Sequence, residues 1–159
     1  MPQFYTAAGL KKLRDEIAEL EHLIKVQIPK ELHSAAAHGD LRENAEYQAA
    51  KEKQAYSMTR LRELRERARS AEIVEKRDFP DDIVTLLKKV KIKDVEEDVI
   101  EEYTILGDGD TDLDNGIISY TSPLAASLIG AKKGETVVAE LPGGNKDYVV
   151  LDFEFADNF

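Results

Sequence analysis

The feature that most constrains this chain is a pair of apolar stripes with helical spacing in its first half. Both stripes advance by three or four residues, which places their members on one face of an α-helix. A short connection between two such helices requires them to run antiparallel. We therefore predict an antiparallel α-helical coiled-coil hairpin over residues 1–76. The first stripe comprises Leu10, Leu13, Ile17, Leu20, Ile24 and Ile28, and the second comprises Tyr47, Ala50, Gln54, Ser57, Leu61, Leu64, Ala68 and Ala71.

The connection between the stripes carries residues that end and begin helices. Gly39 suits the left-handed conformation that commonly follows a helix, and Asp40 suits the cap that begins the next one. Pro29 interrupts the first stripe, and we expect a bend there because proline lacks an amide hydrogen. The pattern predicts an acidic tip near residues 38–46.

From residue 82 onward, the apolar residues alternate as they do in β-strands. Pro80 marks a linker at 77–81. Ser122 as a cap, Pro123 at the first helical position and Gly130 beyond the end predict one short helix. The sequence thus predicts a β-rich globular domain over 82–159 and an α+β class for the whole chain. The strand candidates are 83–87, 90–95, 99–106, 117–120, 136–141 and 148–155.

The two halves of the chain differ in charge. Residues 1–78 hold 15 Lys and Arg against 14 Asp and Glu, whereas residues 79–159 hold 7 against 18. An acidic domain repels nucleic acid, while the near-neutral half can place basic rows beside RNA or DNA. Neither half is typical of a free-standing nucleic-acid binder.

Composition also excludes several classes of site. The chain contains no cysteine, which excludes disulfides, thiolate nucleophiles and cysteine-ligated zinc. Its first ten residues lack the apolar run of a secretory signal, and no apolar stretch approaches membrane-spanning length. We therefore expect a cytoplasmic protein without a membrane partner.

The two carboxylates at the tip allow two interpretations. Asp40 followed three residues later by Glu43 has the spacing of a capping box, which explains that spacing on structural grounds alone. The same carboxylates at an exposed tip also supply two hard oxygen ligands for Mg²⁺. Because two ligands cannot complete an octahedral site, such a metal would be shared with a partner's ligands, with phosphate or with water.

Other charged clusters have ordinary structural explanations. The run from Asp108 to Asp114 lacks the glycine position and the final acidic ligand of a calcium-binding loop, and we interpret it as a solvated turn. Lys51 and Lys53 lie nearer the tip, where contact with a phosphate backbone is the alternative to a solvated face. The arginine-rich part of the second helix favours a solvated face with local ion pairs, such as Arg62 with Glu66. Its arginines are Arg60, Arg62, Arg65, Arg67 and Arg69.

One segment at the tip is specific enough to suggest a family. Residues 38–52 read HGDLRENAEYQAAKE, which resembles the tip signature of the Gre family of bacterial transcript-cleavage factors, closest to GreA-like members. In the second half, residues 117–125, 128–130 and 142–144 resemble the C-terminal domain of that family. These motifs occur in the family's order across nearly the whole chain.

The resemblance implies an FKBP-like C-terminal domain and a role in transcription elongation. Members bind RNA polymerase through its secondary channel and stimulate its Mg²⁺-dependent hydrolysis of backtracked RNA, which rescues arrested complexes. They have no nuclease activity of their own. A non-catalytic regulator that binds the same channel is the alternative function.

The resemblance also implies roles for residues at matching positions. Asp40 and Glu43 would share the Mg²⁺ with polymerase ligands, and Ser122 and Pro123 would bind polymerase. The expected partners of this monomer are the polymerase elongation complex and the 3′ end of nascent RNA. The chain has alanines at 35–37, where many members carry an arginine, and we expect this departure to weaken contact with the RNA end. The basic residues that would face RNA are Arg42, Lys51 and Lys53.

Overall fold

The computed structural model describes residues 3–39 and 43–157. Helices and strands are both present, so the predicted α+β class is confirmed. The elements in chain order are β1 (Gln3–Tyr5), α1 (Ala7–His22), α2 (Ile28–Ala36), α3 (Ala45–Ser70), β2 (Ala71–Ile73), β3 (Lys88–Asp94), β4 (Val99–Leu106), β5 (Ile117–Ser119), α4 (Pro123–Leu128), β6 (Thr136–Leu141) and β7 (Gly144–Phe155).

The chain forms two compact units. One is Lys11–Ser70, and the other combines Met1–Leu10 with Ala71–Phe159. The predicted boundaries at 76 and 82 follow the order of the chain, whereas the units group its start with its second half. This grouping includes β1 and β2, which pair in parallel, with Gln3 opposite Ala71 and Tyr5 opposite Ile73.

The helical unit is a hairpin built on the predicted stripes. Its first arm runs to the end of α2, and its second arm is α3, a helix of 26 residues. Ion pairs join the arms between Arg65 and Glu21 at 2.8 Å and between Lys53 and Glu31 at 3.0 Å. Because the residue numbers rise on one arm as they fall on the other, the arms are antiparallel, as predicted. The buried residues of the seam are Leu13, Ile28, Ala35, Ala50, Ser57, Leu61 and Leu64.

The interruption expected at Pro29 takes the form of a wider helical turn just before it. Residues Leu23–Gln27 form a π-helical turn, and the amide of Ile28 donates to the carbonyl of Leu23 five residues earlier. Proline cannot donate to the carbonyl four residues before it and its ring crowds that carbonyl, so a wider turn accommodates it. Pro29 then lies in the first turn of α2, where its missing amide hydrogen is least costly.

The second unit contains a five-stranded mixed sheet in the order β5-β4-β3-β7-β6. All neighbouring pairs are antiparallel except β4 and β5. β3 is central and alternates strictly, so one face of the sheet is buried and the other is exposed. The buried cluster comprises Val84, Val90, Ile92, Ile105, Ile118, Ala125, Leu128, Ala131, Ala139, Tyr148 and Val150.

The predicted strand at 83–87 is wrong. This segment is irregular, and Leu87 has a φ of 67°, which interrupts an extended backbone. Its polar groups bond to different parts of the unit: the amide of Val84 donates to Ala131, and the amide of Leu87 donates to Ile105. In the sequence, an apolar run of this length indicates a buried strand and a buried irregular segment equally well, because both place the side chains in the core.

The acidic loop after β4 packs against β1. A side chain at Gly107 would collide with the carbonyl of Phe4, and one at Gly109 would collide with the ring of Tyr5. The Asp110 carboxylate accepts from the amide of Thr6 at 3.2 Å and from its hydroxyl at 3.1 Å. The glycines therefore permit close approach of two backbone segments, and Asp110 holds the residue that precedes α1.

Lys88 is a buried cation at the start of β3, with 1% of its surface exposed. Its ammonium donates to the carbonyls of Pro80 and Ile83 and lies about 5 Å from the ring centres of Phe153 and Phe155. Burial lowers the pKa of Lys88, although Asp81 and Asp82 oppose this effect. The lysine thus fixes the segment that leads into the sheet.

Across the described ranges, no helix is long and apolar enough to cross a membrane.

Candidate functional site

The first arm ends at the tip with a helix terminus that glycine completes. α2 ends at Ala36, and the amides of Ala37 and His38 donate to the carbonyls of His33 and Ala35 at 3.3 and 3.1 Å. Gly39 has a φ of +133°, a conformation that favours glycine. The helix therefore ends where the sequence predicts.

The second arm begins at Ala45, and Asn44 is its cap. The Asn44 side-chain oxygen accepts from the amide of Tyr47 at 3.1 Å, and its main-chain carbonyl accepts from Gln48 at 3.0 Å. The capping-box interpretation of Asp40 and Glu43 is therefore wrong for this helix, because Glu43 precedes the cap instead of following it by three residues. Asn44 has the role that the sequence analysis gave to Asp40.

Glu43 lies at the tip with an exposed side chain. No side chain of the described residues forms an ion pair or hydrogen bond with its carboxylate. His38, Glu43, Asn44, Ala45 and Glu46 line an open concavity of about 510 Å³. The predicted site residues Asp40 and Arg42 lie outside the described residues, so the structure does not describe the separation of the two predicted carboxylates.

The donor chemistry at the tip suits a hard cation but does not complete a site. A carboxylate such as Glu43 is an oxygen ligand of the kind that Mg²⁺ prefers. Within 3–39 and 43–157, no cluster of three or more His, Asp or Glu side chains could hold a metal ion. Among the described residues of the tip, Glu43 can offer Mg²⁺ a carboxylate oxygen, and Asp40 is assigned to the tip from the sequence alone.

The two predicted RNA-facing lysines that the structure describes differ in their surroundings. Lys53 pairs with Glu31 across the hairpin, so its charge helps to join the arms. The Lys51 ammonium lies 5.7 Å from the centre of the Tyr47 ring and is exposed. Of the two, Lys51 is better placed to contact a phosphate, since no carboxylate in the described part of the chain pairs with it.

The arginine row of α3 forms pairs both across the hairpin and within the helix. Arg60 contacts Glu16 at 3.3 Å on the other arm and Glu63 at 3.5 Å on its own. The local pair suggested by the sequence between Arg62 and Glu66 is replaced by Arg69 with Glu66, at 2.9 Å. Much of this row therefore supports the hairpin, with charges already neutralised by glutamates.

Ser122 and Pro123, the predicted polymerase-binding residues, begin α4. The Ser122 hydroxyl donates to the carbonyl of Ser119 at 2.7 Å and accepts from the amide of Ala125 at 3.3 Å, so it caps the helix as predicted. Pro123 is exposed. The capping bonds occupy the hydroxyl of Ser122, which leaves the exposed proline as the more available contact surface of the two.

A polar cluster that the sequence analysis missed lies in the same region. The Asp108 carboxylate accepts from the hydroxyls of Ser119 and Thr121, and all of these contacts are exposed. Asp108 appeared in the sequence only as part of an acidic turn. Its partners lie 11 and 13 residues further along, a separation that no local pattern connects.

Comparison with known protein families accounts for both units. Residues 3–73 match the model of the N-terminal domain of transcription elongation factors, and residues 79–155 match the model described as transcription elongation factor, GreA/GreB, C-term. This chain belongs to the GreA/GreB family of transcription elongation factors. The resemblance inferred from the tip segment and the C-terminal motifs is thus confirmed.

Two relatives by sequence support the assignment over almost the full length. The chain is 40% identical over 152 residues to transcription elongation factor GreA of Anaeromyxobacter sp. (strain K), covering 96% of this chain and 92% of that protein. It is 38% identical over 152 residues to GreA of Wolinella succinogenes, covering 96% and 94%. Among solved structures, GreA factor homolog 1 of Thermus thermophilus aligns at 20% identity with a TM-score of 0.43, covering 97% of this chain and 99% of that chain.

Proposed function

We propose that this GreA/GreB-family chain stimulates transcript cleavage by RNA polymerase and has no nuclease activity of its own. The observation that carries the proposal is the exposed Glu43 carboxylate at the hairpin tip, without a partner among the described residues. Glu43 takes part in none of the described ion pairs that join the arms, unlike Glu16, Glu21 and Glu31. Names of relatives at 40% and 38% identity support a role in elongation.

Each group of this chain has a distinct part in the proposed reaction. Glu43, together with Asp40, supplies carboxylate oxygens to a Mg²⁺ site that polymerase ligands complete. When bound, Mg²⁺ stabilises negative charge on the phosphate and lowers the pKa of water. Lys51 contacts an RNA phosphate near the tip, and Pro123 contributes to the polymerase-binding surface of the other unit.

The incomplete ligand set explains why the chain is proposed as a cofactor. A carboxylate in an open concavity is surrounded by water, which competes for the metal and weakens every electrostatic interaction. Polymerase would supply the remaining ligands, the substrate RNA and a site that excludes water. The proposed substrate is therefore the backtracked RNA in the polymerase active centre, with the elongation complex as partner.

The test is RNA release from a backtracked elongation complex in the presence of Mg²⁺. Wild-type protein should release short 3′ fragments, whereas Asp40→Asn and Glu43→Gln should abolish release and retain binding to the complex. Glu52→Gln is the matched control, because it removes an exposed charge from α3 further from the tip and should cleave normally. Wild-type protein with free RNA and Mg²⁺ should release nothing.

The outcomes separate the candidate functions. Normal cleavage by both tip variants would reject the roles given to Asp40 and Glu43. Binding of wild-type protein without any RNA release would support the non-catalytic regulator instead. Cleavage of free RNA in the absence of polymerase would show that the chain is an enzyme and reject its role as a cofactor.

A further inference from the structure

One side chain joins the two arms of the hairpin at the tip. The Asn44 amide nitrogen donates to the carbonyl of Ala35 at 2.5 Å, while its side-chain oxygen accepts from the amide of Tyr47 at 3.1 Å. Ala35 belongs to the last turn of α2, and Tyr47 belongs to the first turn of α3. Asn44 is half-buried, so both bonds are partly shielded from water.

The Ala35 carbonyl is also the point at which the first arm closes. It accepts from the amide of His38 at 3.1 Å in addition to Asn44. A carbonyl oxygen has two lone pairs, and both are used here. Because Ala35 is buried in the seam, with 3% of its surface exposed, the bond from Asn44 is anchored to a packed part of the hairpin and not to its exposed surface.

Asparagine is suited to this pair of contacts because its amide carries an acceptor and a donor together. Ser and Asp are equally good helix caps and Thr is only slightly weaker, but Ser and Thr are shorter and an ionised Asp has no donor. Capping alone therefore does not require asparagine at this position. The second bond, across the hairpin, does require a donor of this length.

We propose that Asn44 is a positioning residue for the cleavage reaction, fixing the backbone that carries Glu43 relative to the packed end of the first arm. Glu43 is joined to Asn44 by a peptide bond, so a restraint on Asn44 restrains the point from which the carboxylate extends. This inference rests on the proposed function. A metal ligand shared between two proteins must be placed accurately, and displacements of about 1 Å can cost about 100-fold in rate.

Substitutions at Asn44 separate positioning from capping. Asn44→Ser keeps an oxygen that can accept from the Tyr47 amide. The serine side chain is too short to reach the carbonyl of Ala35 and has no amide group to donate to it. The substitution changes no charge. Asn44→Ala removes both contacts. A residue that only capped α3 would tolerate serine, whereas a positioning residue would not.

The experiment measures RNA release from a backtracked elongation complex at increasing concentrations of each variant. For Asn44→Ser we expect the maximal cleavage rate to fall by about 10- to 100-fold, with an unchanged half-saturating concentration and a melting temperature close to wild type. Asn44→Ala should lose a similar factor in rate and also melt at a lower temperature. A residue that only capped the helix would not lower the maximal cleavage rate while leaving the half-saturating concentration and the melting temperature unchanged.

Wild-type cleavage by Asn44→Ser would overturn the inference, as would a defect confined to the half-saturating concentration. Glu43→Gln in the same series distinguishes this failure from failure of the proposed function. If Glu43→Gln is inactive while Asn44→Ser is normal, only the positioning role is rejected. If Glu43→Gln cleaves normally, the proposed role of the tip carboxylate is rejected first.

Discussion

Asp94 is a buried carboxylate at the end of β3, and its contacts make it sensitive to pH. One oxygen accepts from the amides of Glu96 and Glu97 at 3.0 and 3.2 Å, and the other accepts from Lys146 at 3.2 Å. The bond from the Glu97 amide lowers the pKa of Asp94 most; burial opposes it, and Lys146 and Glu96 add to the lowering. Asp94 in turn raises the pKa of Lys146.

The lowered pKa determines when this carboxylate stabilises the protein. In the unfolded chain Asp94 titrates near its ordinary value of 3.8, so its contribution is fully present above that pH. The contribution is lost as the pH falls through the lower pKa of the folded state. Lys146 behaves in the opposite sense: its contribution is present below the ordinary value of 10.5 and is lost as the pH rises through the higher folded pKa.

We predict that Asp94→Asn is less stable than wild type at pH 7 and that the difference narrows as the pH falls below about 4. Urea denaturation of both proteins across this range measures the difference in the free energy of unfolding. Asp152→Asn is the matched control, because Asp152 is exposed, and both its bond from the Phe153 amide at 2.9 Å and its pair with Lys133 at 3.6 Å are open to water. A deficit for Asp94→Asn that is equal at neutral and acidic pH would contradict the assigned role.

At the scale of single elements, Ser122 combines a structural role with a proposed polymerase contact. Ser122→Ala removes the α4 cap and should lower the free energy of unfolding by about 1 kcal/mol. Ser122→Thr retains a hydroxyl that can make both bonds and should remain close to wild type. Thermal melting measures the effect on stability, and co-purification with polymerase measures binding.

The pair of variants shows whether the hydroxyl contacts polymerase directly. Because the hydroxyl is occupied by Ser119 and Ala125, we expect polymerase binding by both variants at temperatures well below melting. Pro123→Ala should weaken binding more than either, since Pro123 is the exposed residue of the two. Loss of binding by a well-folded Ser122→Ala protein would instead assign the contact to the serine.

The sequence predicts elements best where periodicity and local chemistry agree. The helical stripes and the bounds of β4 and β6 match the structure because many residues contribute to each pattern, except that Ala71, the last residue of the second stripe, lies in β2. β1 was missed because three residues, Gln3–Tyr5, are too few to show alternation, and their partner β2 is almost 70 residues away. Long-range pairing of short strands leaves no local signal.

Residue type alone would predict the wrong burial for the residues at both ends of β3. Alternation places Lys88, Val90, Ile92 and Asp94 on the same buried face, although lysine and aspartate ordinarily lie at the surface. Their burial is compensated by groups both near and far in the sequence: nearby main-chain carbonyls and distant aromatic rings for Lys88, and nearby main-chain amides and the distant Lys146 for Asp94. The sequence fixes which face these residues share but cannot supply the groups that compensate for their burial.

The tip shows a comparable limit. The spacing of Asp40 and Glu43 favoured a capping box, whereas Asn44 is the cap and has no Glu or Gln three residues later. The available signal was that asparagine is itself a favoured cap residue directly before a run of good helix formers. Its bond to Ala35 could not be predicted, because it depends on how the two arms meet.

At the scale of the whole molecule, the distribution of charge determines which partner the chain can approach. The helical unit, Lys11–Ser70, holds 13 Lys and Arg against 11 Asp and Glu, whereas the remainder holds 9 against 21. Within the helical unit, Lys53, Arg60 and Arg65 already pair with glutamates of the other arm. These pairs occupy several of the cations that could displace counterions from a nucleic acid, the net charge of the helical unit is only +2, and the acidic remainder repels nucleic acid.

We accordingly predict that the isolated protein binds single-stranded RNA with a Kd weaker than about 100 µM at about 150 mM salt, beyond the usual range of non-specific binders. Fluorescence anisotropy of labelled RNA measures this, and an elongation complex that carries the same RNA provides the positive control. We expect binding to the elongation complex to be tighter than binding to free RNA, because polymerase would supply most of the binding surface. Polymerase would also bring the RNA to the tip, where Lys51 needs to contribute only one phosphate contact. Low-micromolar binding of free RNA with a steep dependence on salt would show that the basic residues of α3 are more available than their ion pairs indicate.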